Sequence, residues 1–530
     1  MSEFAILITD DLSPQALELL DVAEGVTYDI VKGLSPEELR EKIRGYDAVL
    51  IRSSVKITAD VIDNSDRLRV IGRAGAGVDN VDIDAASRKG IIVMNTPGAN
   101  TIATAEQTIA LMLSLCRNIP QADASMRAKA WDRKKFMGIQ LYGKVVGVIG
   151  LGRIGAAVAK RLQAFQMKVL AFDPYISEDV AREMKITMVS LDELLAQSDF
   201  ITVHAGLTGD TKNMLDAAAM AKMKPGVRIV NCARGGLIDY DALAEALQSG
   251  HIAAAGLDVY PKEPLDADSP LREMSNVVVT PHIAASTVEA QRDVGTQVVS
   301  QALSALRGED YRNAINMPVT DATLFRKLKP YFELTEKIGS LQMQLAGGPI
   351  KKVEIELSGE EVEDYIKPFT VALFKGLLEP ITDSPVNYIS APHLATQRGI
   401  QVVEGTGLSS LNYDNLISCR VRWDGGQRVV CGSLLGHETP RVVRIDEYNI
   451  DASLEGIILV MCSLDQPGVI GSVGSLLGAH GINIAEWRYG RVAPGQDSLS
   501  FINLDSEVPP AVLEEIAAMP WATSVELIKL

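Results

Sequence analysis

Hydride exchange with a hydroxy acid needs a proton acceptor, a cation for the acid's carboxylate and a hydride carrier beside the reacting carbon. His282 in TPHIA, Glu263 in YPKEPL and Arg234 in NCARGG are side chains of the right types. An imidazole titrates near neutrality and can take and return the hydroxyl proton. Glu263 lies in a proline-stiffened loop and could hold the imidazole and favour its cation, while the planar fork of Arg234 suits a carboxylate. All three follow a glycine loop, VVGVIGLGRIGAAVAKRL, in which a β-branched run from Val145 to Ile149 leads through Gly150, Gly152 and Gly155 into a helical pattern starting near Arg153. The first glycine allows a sharp turn, the second lets backbone approach a pyrophosphate, and the third lets the helix pack on the strand. The helix N-terminus adds free N–H donors. The short strand Lys168 to Phe172 ends at Asp173, a carboxylate for ribose hydroxyls, and no Arg or Lys adjoins it to welcome a 2′-phosphate, so the carrier is expected to be NAD. Taken singly, His282 reads as a structural histidine, Glu263 as solvated surface and Arg234 as a turn salt-bridge donor. Their order behind a complete dinucleotide fingerprint is what carries the chemical reading.

The elements that must position these groups follow from the hydrophobic pattern. Short apolar runs FAILI, DAVLI, RVIGR and GIIVM alternate with amphipathic helices up to Met94, which predicts a parallel sheet covered by helices. NTPGANT, residues 95–101, is a hinge candidate before a long apolar helix from Ile102 to Cys116. Buried-strand runs FITVH, VRIVN, AAGLDV and NVVVT continue a doubly wound α/β sheet, and strand ends are where such sheets bind ligands. A last helix, about Thr287 to Leu306, is expected to return to the first domain. The boundaries are then 1–97 with 286–310, a discontinuous substrate domain, and 98–285, a Rossmann-type nucleotide domain. MPVTDATL is linker-like, 318–450 is an α/β domain with strand-like KKVEIEL, CRVRW and RVVRI, and 455–530 reads β-α-β-β-α-β, a ferredoxin-like module.

The composition bounds the function classes. A chain of 530 residues with 47% hydrophobic content has room for roughly three or four domains. A net charge of −17 disfavours nucleic acid as a partner. Cys116, Cys232, Cys419, Cys431 and Cys462 are odd in number and never form CxxC, so neither a disulfide framework nor a zinc site is expected, and the compartment is expected to be cytoplasmic. The acidic N-terminus lacks a signal-peptide pattern, and no apolar run reaches the length of a membrane span. His251, His393, His437 and His480 stand without partner clusters, so no metal is expected, and His204 is read as structural.

VIGLGRIG, NCARGGLID, GLDVY with KEP, and PHIAAST resemble the D-2-hydroxyacid dehydrogenases. The resemblance implies Arg234, Glu263 and His282 as catalytic residues. It also implies NAD contacts at Ala76, Arg153, Ile154, Asp173, Ala205, Cys232, Ala233, Asp258 and Ala285. IRSSVKIT, VIGRAGAGVDNVD and WDRKKFMG resemble the phosphoglycerate dehydrogenase branch of that family over residues 1–310, with a flavodoxin-like substrate domain. This implies 3-phosphoglycerate as substrate, with Arg52, Ser53, Arg73 and Gly75 in its site. Arg133, in a basic patch with Lys134 and Lys135, is either a substrate contact reaching in from another subunit or a solvated helix face.

SLDQPGVIGSVGSLLGAHGINIAEW resembles the ACT regulatory domain, which binds amino acids between two copies. That implies a homo-oligomer, dimer or tetramer, with L-serine as effector at Asp465 and Asn483; the alternative is an Asx turn and a cap. The middle domain resembles the intervening domain of the long form. Departures stand at Gly206, at Ala284 and at Gln166, where a helix-ending glycine is common. Two rivals remain: a glycerate or hydroxypyruvate dehydrogenase, and an NAD-sensing binding protein on the same scaffold.

Overall fold

A computed structural model describes residues 3–382, 385–407, 413–436 and 438–530; His437 lies outside them. The first sheet is wholly parallel, in the order Val26–Ile30, Phe4–Ile8, Ala48–Ile51, Val70–Arg73, Ile92–Asn95. That 2-1-3-4-5 order is the flavodoxin-like one. Its strands are nearly continuous apolar runs because helices cover both faces. Val26–Ile30, VTYDI, is largely solvent-facing at the edge, and its mixed polarity hides it from a search for apolar runs.

The second sheet is also parallel. In chain order its strands are Val145–Ile149, Lys168–Phe172, Thr187–Met188, Phe200–Val203, Val227–Asn231, Ile252–Leu257 and Val277–Val279. They stand in the order 3-2-1-4-5-6-7, so the direction of winding reverses between Val145–Ile149 and Phe200–Val203, beside the glycine loop. Helix Thr101–Arg117 packs on this sheet and on helix Arg153–Ala164. Helix Val288–Leu306, capped by Thr287 Oγ1 on Ala290 N–H, returns to pack on Pro14–Asp21 and on Val70–Arg73. The chain therefore crosses between the two sheets twice, near residues 95–101 and 280–288.

The passage expected to be a linker is instead pinned down. Asn316 accepts from Val93 N–H and donates to Ile91 O and Ser87 Oγ, and Ile315 N–H donates to Val93 O. Met317 and Val319 are buried, and Ala322–Leu345 already forms a helix. The cause is the open edge of Ile92–Asn95, whose unpaired backbone groups recruit this segment.

Two long helices, Ala322–Leu345 and Ile366–Leu378, then pack on a six-stranded mixed sheet ordered Gln401–Thr406, Lys352–Ser358, Leu416–Trp423, Gly426–Leu435, Thr439–Ile445, Tyr448–Ser453. The last sheet is antiparallel, ordered Ile484–Arg491, Asp497–Leu504, Ile457–Leu464, Ala522–Lys529, with helices Val469–Ala479 and Pro510–Ala517. Alternate residues of Ile457–Leu464 serve two cores. Leu459 and Met461 pack under the two helices, whereas Ile458 and Val460 face the core that includes Tyr448 and Ile450 of the intervening domain.

Candidate active site

Between the first two domains lies a cleft of about 370 Å³, lined from the carboxyl ends of strands in both sheets. Arg52 and Ser53 follow Ala48–Ile51, Arg73, Gly75 and Ala76 end or follow Val70–Arg73, and Ala205, Cys232, Ala233 and Arg234 come from the nucleotide sheet. Ile154, His282 and Ala285 complete this part of the wall.

The glycine loop has the geometry a dinucleotide needs. Gly150 leaves its strand at φ 88°, in the region that favours glycine. A Cβ on Gly155 would lie 2.0 Å from the Gly150 carbonyl oxygen, so only glycine lets helix Arg153–Ala164 seat there. Around Gly152 a Cβ would meet nothing within 4 Å, and the open space faces the helix N-terminus opened by Arg153. Asp173 accepts from Leu151 N–H at 2.8 Å and from Tyr175 N–H at 2.8 Å, which fixes its carboxylate against the loop. These residues fit NAD: amides for the pyrophosphate, a carboxylate for the ribose.

The His282–Glu263 pair is held from behind. His282 sits at φ 53°, a left-handed conformation uncommon for residues bearing a Cβ. The fully buried Asp258 fixes its loop, accepting from Thr280 Oγ1, Ile283 N–H and Ala284 N–H. Asp258 thus spends its carboxylate on the loop and is not among the residues lining the cleft. His282 Nδ1 meets Glu263 Oε2 at 2.7 Å, and Glu263 Oε1 accepts from Tyr260 N–H at 3.0 Å. An ionised carboxylate can only accept, so Nδ1 carries the hydrogen and Nε2 is left for a substrate hydroxyl. Burial raises the Glu263 carboxyl. The hydrogen bonds from His282 and Tyr260 and the charges of His282 and Arg234 outweigh that, leaving it below its ordinary value.

The cations are crowded. Burial, then the fields of Arg234 and Arg52, lowers the Arg73 guanidinium to about 10, still charged at neutral pH. Asp10 fixes the Arg52 loop by accepting from Arg52 N–H at 2.9 Å and Ser54 Oγ at 2.7 Å. Arg234 Nε donates to both oxygens of Asp79 at 3.1 Å, and Nη1 to Ala233 O at 2.7 Å. Three cleft residues carry a buried polar atom without a partner: Arg73 Nε, Asn100 Oδ1 and His204 Nδ1. Such atoms are costly unless a ligand satisfies them. Burial holds the His204 imidazole down at about 4, so it is neutral at pH 7 and serves as no proton donor there.

Other expected residues lie elsewhere. Arg133 is on an exposed short turn, Arg133–Phe136, outside the cleft lining. Asp465 accepts from Tyr489 OH at 2.9 Å, Arg491 at 3.1 Å and Gly495 N–H at 3.2 Å, and Asn483 Nδ2 donates to Asp505 at 2.6 Å. Sequence reading missed Asp10, Asp79 and Asn100. Asp79 stands in the quoted GAGVDN stretch, but its partner is 155 residues away and no local spacing could reveal the pair. Among the described residues no three His, Cys, Asp or Glu side chains gather as metal ligands, and no helix is long and apolar enough to cross a membrane.

Known proteins are similar to this chain over its length and in its fold. Residues 109–284 match the D-isomer specific 2-hydroxyacid dehydrogenase, NAD binding domain, and residues 327–446 the D-3-phosphoglycerate dehydrogenase intervening domain. The D-3-phosphoglycerate dehydrogenase of Methanocaldococcus jannaschii is 44% identical over 526 residues, 99% of either chain. That of Bacillus subtilis is 40% identical over 527 residues, 99% of this chain and 100% of its own. Among solved structures, apo D-lactate dehydrogenase from Escherichia coli is 33% identical with a TM-score of 0.53, covering 59% of this chain and 99% of that one. D-lactate dehydrogenase from Aquifex aeolicus, complexed with NAD and lactic acid, is 28% identical with a TM-score of 0.53, covering 57% and 96%. Since the similarity runs through the intervening domain as well as the nucleotide fold, the chain belongs to the D-3-phosphoglycerate dehydrogenases, NAD-dependent oxidoreductases of the 2-hydroxyacid type.

Proposed function

We propose that the cleft oxidises 3-phospho-D-glycerate to 3-phosphonooxypyruvate, the first step of L-serine biosynthesis. NAD, which the backbone at Gly152 and the Asp173 carboxylate would hold, would supply the acceptor for the C2 hydride. The chain's own residues handle the rest: His282 Nε2 takes the hydroxyl proton as the C2–O bond becomes a carbonyl, and Glu263 stabilises the resulting imidazolium. Arg234 holds the carboxylate and polarises the carbonyl oxygen, while Arg52, Arg73, Ser53 and the Gly75 backbone receive the phosphate. The observation that carries this reading is the convergence of Arg52, Arg73 and Arg234 on one cleft of a chain with net charge −17. Asp79 and Asp10 offset part of the mutual repulsion of these cations, and a multiply charged anion would relieve the rest. Neither glycerate nor hydroxypyruvate would supply the second anionic group.

The carboxyl-terminal module is the proposed L-serine sensor, at Asp465 and Asn483, where two copies would meet. Leu464, Ile470 and Val492 are apolar yet 44%, 52% and 58% exposed around Asp465, which supports burial against a second copy. Arg133 would then serve a neighbouring subunit's cleft. Five free cysteines support a reducing, cytoplasmic setting.

An NADH absorbance assay tests the reading. Turnover with 3-phosphoglycerate should exceed that with glycerate, fall on adding L-serine, and drop about 10²–10⁴-fold in His282→Ala with NADH affinity kept. Equal use of glycerate would favour the rival dehydrogenases; undiminished turnover in His282→Ala would remove the proton relay.

A further inference from the structure

Arg234 does not point freely into the cleft. Its Nε is bound by both carboxylate oxygens of Asp79, and its Nη1 by the carbonyl of its neighbour Ala233. Among the described residues only Nη2 takes no protein acceptor. Asp79 belongs to the loop after Val70–Arg73, in the first domain, whereas Arg234 ends the Val227–Asn231 region of the nucleotide domain. The contact therefore spans the cleft. A second observation concerns the same spot: a Cβ on Gly77 would stand 1.5 Å from Arg234 Nη2 and 3.1 Å from Asp79 Oδ1. The Nη2 end of the guanidinium occupies the space that a side chain at position 77 would need.

We propose that Asp79 is a positioning residue for substrate binding, clasping the Nε edge of Arg234 so that Nη2 faces the hydroxy acid. The physical need is clear. An arginine side chain has many rotamers to lose, and Arg73 repels this one. A carboxylate on one edge offsets the repulsion, selects a rotamer and leaves the other edge to the substrate. Asp79 also ties the loop that carries Gly75 and Ala76 to the nucleotide domain, so anion binding and domain register depend on one contact. Gly77 is part of the device.

This rests on the role proposed for Arg234, and the two can fail separately. If Arg234→Ala leaves turnover unchanged, the active-site reading fails. If Arg234→Ala is impaired, steady-state kinetics of Asp79→Ala, Asp79→Asn and Gly77→Ala decide the role of Asp79. Asp79→Ala should raise KM for 3-phosphoglycerate about 10-fold and lower kcat/KM about 10–100-fold, the scale of a charge-assisted hydrogen bond. NADH affinity, read by fluorescence titration, should change less than KM for 3-phosphoglycerate, since Asp79 reaches Arg234 and not the glycine loop. Asp79→Asn should recover part of the loss, and Gly77→Ala should reproduce it. In an Arg234→Lys background, Asp79→Ala should cost less than about 3-fold, because coupled residues do not add. Equal cost in both backgrounds would overturn the proposal. So would a lowered KM in Asp79→Ala, which would make Asp79 a competitor displaced by the substrate.

Discussion

Glu263 is the residue on which the proposed chemistry turns, because its environment keeps it ionised. Its hydrogen bonds and cationic neighbours place its carboxyl below the ordinary 4.5. The sign follows from linkage: a depressed folded-state value means the His282–Glu263 contact contributes fully above the unfolded carboxylate range and is lost only as pH falls through the lower folded value. Both side chains remain more than a third exposed, so solvent screens the pair and its contribution to folding is modest. Its contribution to catalysis is larger. In Glu263→Gln the imidazolium loses its counter-ion, and kcat for oxidation should fall by about 10–100-fold. Steady-state kinetics with 3-phosphoglycerate and NAD check this, and an unchanged kcat would separate Glu263 from the imidazole. The three chemical groups could be read from the sequence because each sits in a glycine- or proline-marked loop after an apolar strand. Asp79 and Asp10 could not, since an acidic residue in an acidic chain announces nothing until its partner is placed beside it.

At the scale of elements, apolar period and capping chemistry marked most of the two parallel sheets, and glycines marked their turns. The elements that escaped are those with little to bury. Val26–Ile30 and Gln401–Thr406 are solvent-facing edge strands, held by backbone pairing to one neighbour and not by a side-chain pattern. Gln166 shows a departure with a measurable cost. It follows helix Arg153–Ala164 at φ 57°, and its carbonyl accepts from Gly143 N–H, so the turn cannot relax without losing that bond. A left-handed residue with a Cβ costs about 1–2 kcal/mol, part of which glycine's greater chain entropy would offset. Gln166→Gly should therefore stabilise the nucleotide domain by about 0.5–1 kcal/mol, seen as a higher urea midpoint at unchanged slope. A lower midpoint would show that the side chain makes good the strain.

Across the whole molecule, burial is divided unequally. The nucleotide domain fills two clusters of its own, one around Val146, Val158 and Leu162 and one around Ile201, Ile229 and Leu243. One face of the first sheet, the segment through Met317 and Val319, the intervening domain and one face of the last sheet share a single cluster. Calorimetry should accordingly resolve two transitions, and NAD at about 100 times its dissociation constant should stabilise the nucleotide domain alone by about 2.7 kcal/mol. A single transition moved as a whole by NAD would refute this division. The shared cluster was not legible in the sequence, where MPVTDATL suggested a tether; continuity of packing between distant segments leaves no local mark. Strand Ile457–Leu464 carries a consequence for how such enzymes can be recombined. With every second side chain committed to its neighbour's interior, the last module is no cassette: a graft joined near residue 455 strips two greasy surfaces at once, while a swap of everything from about 318 onward carries that seam intact and leaves only the junction with the first sheet to be rematched.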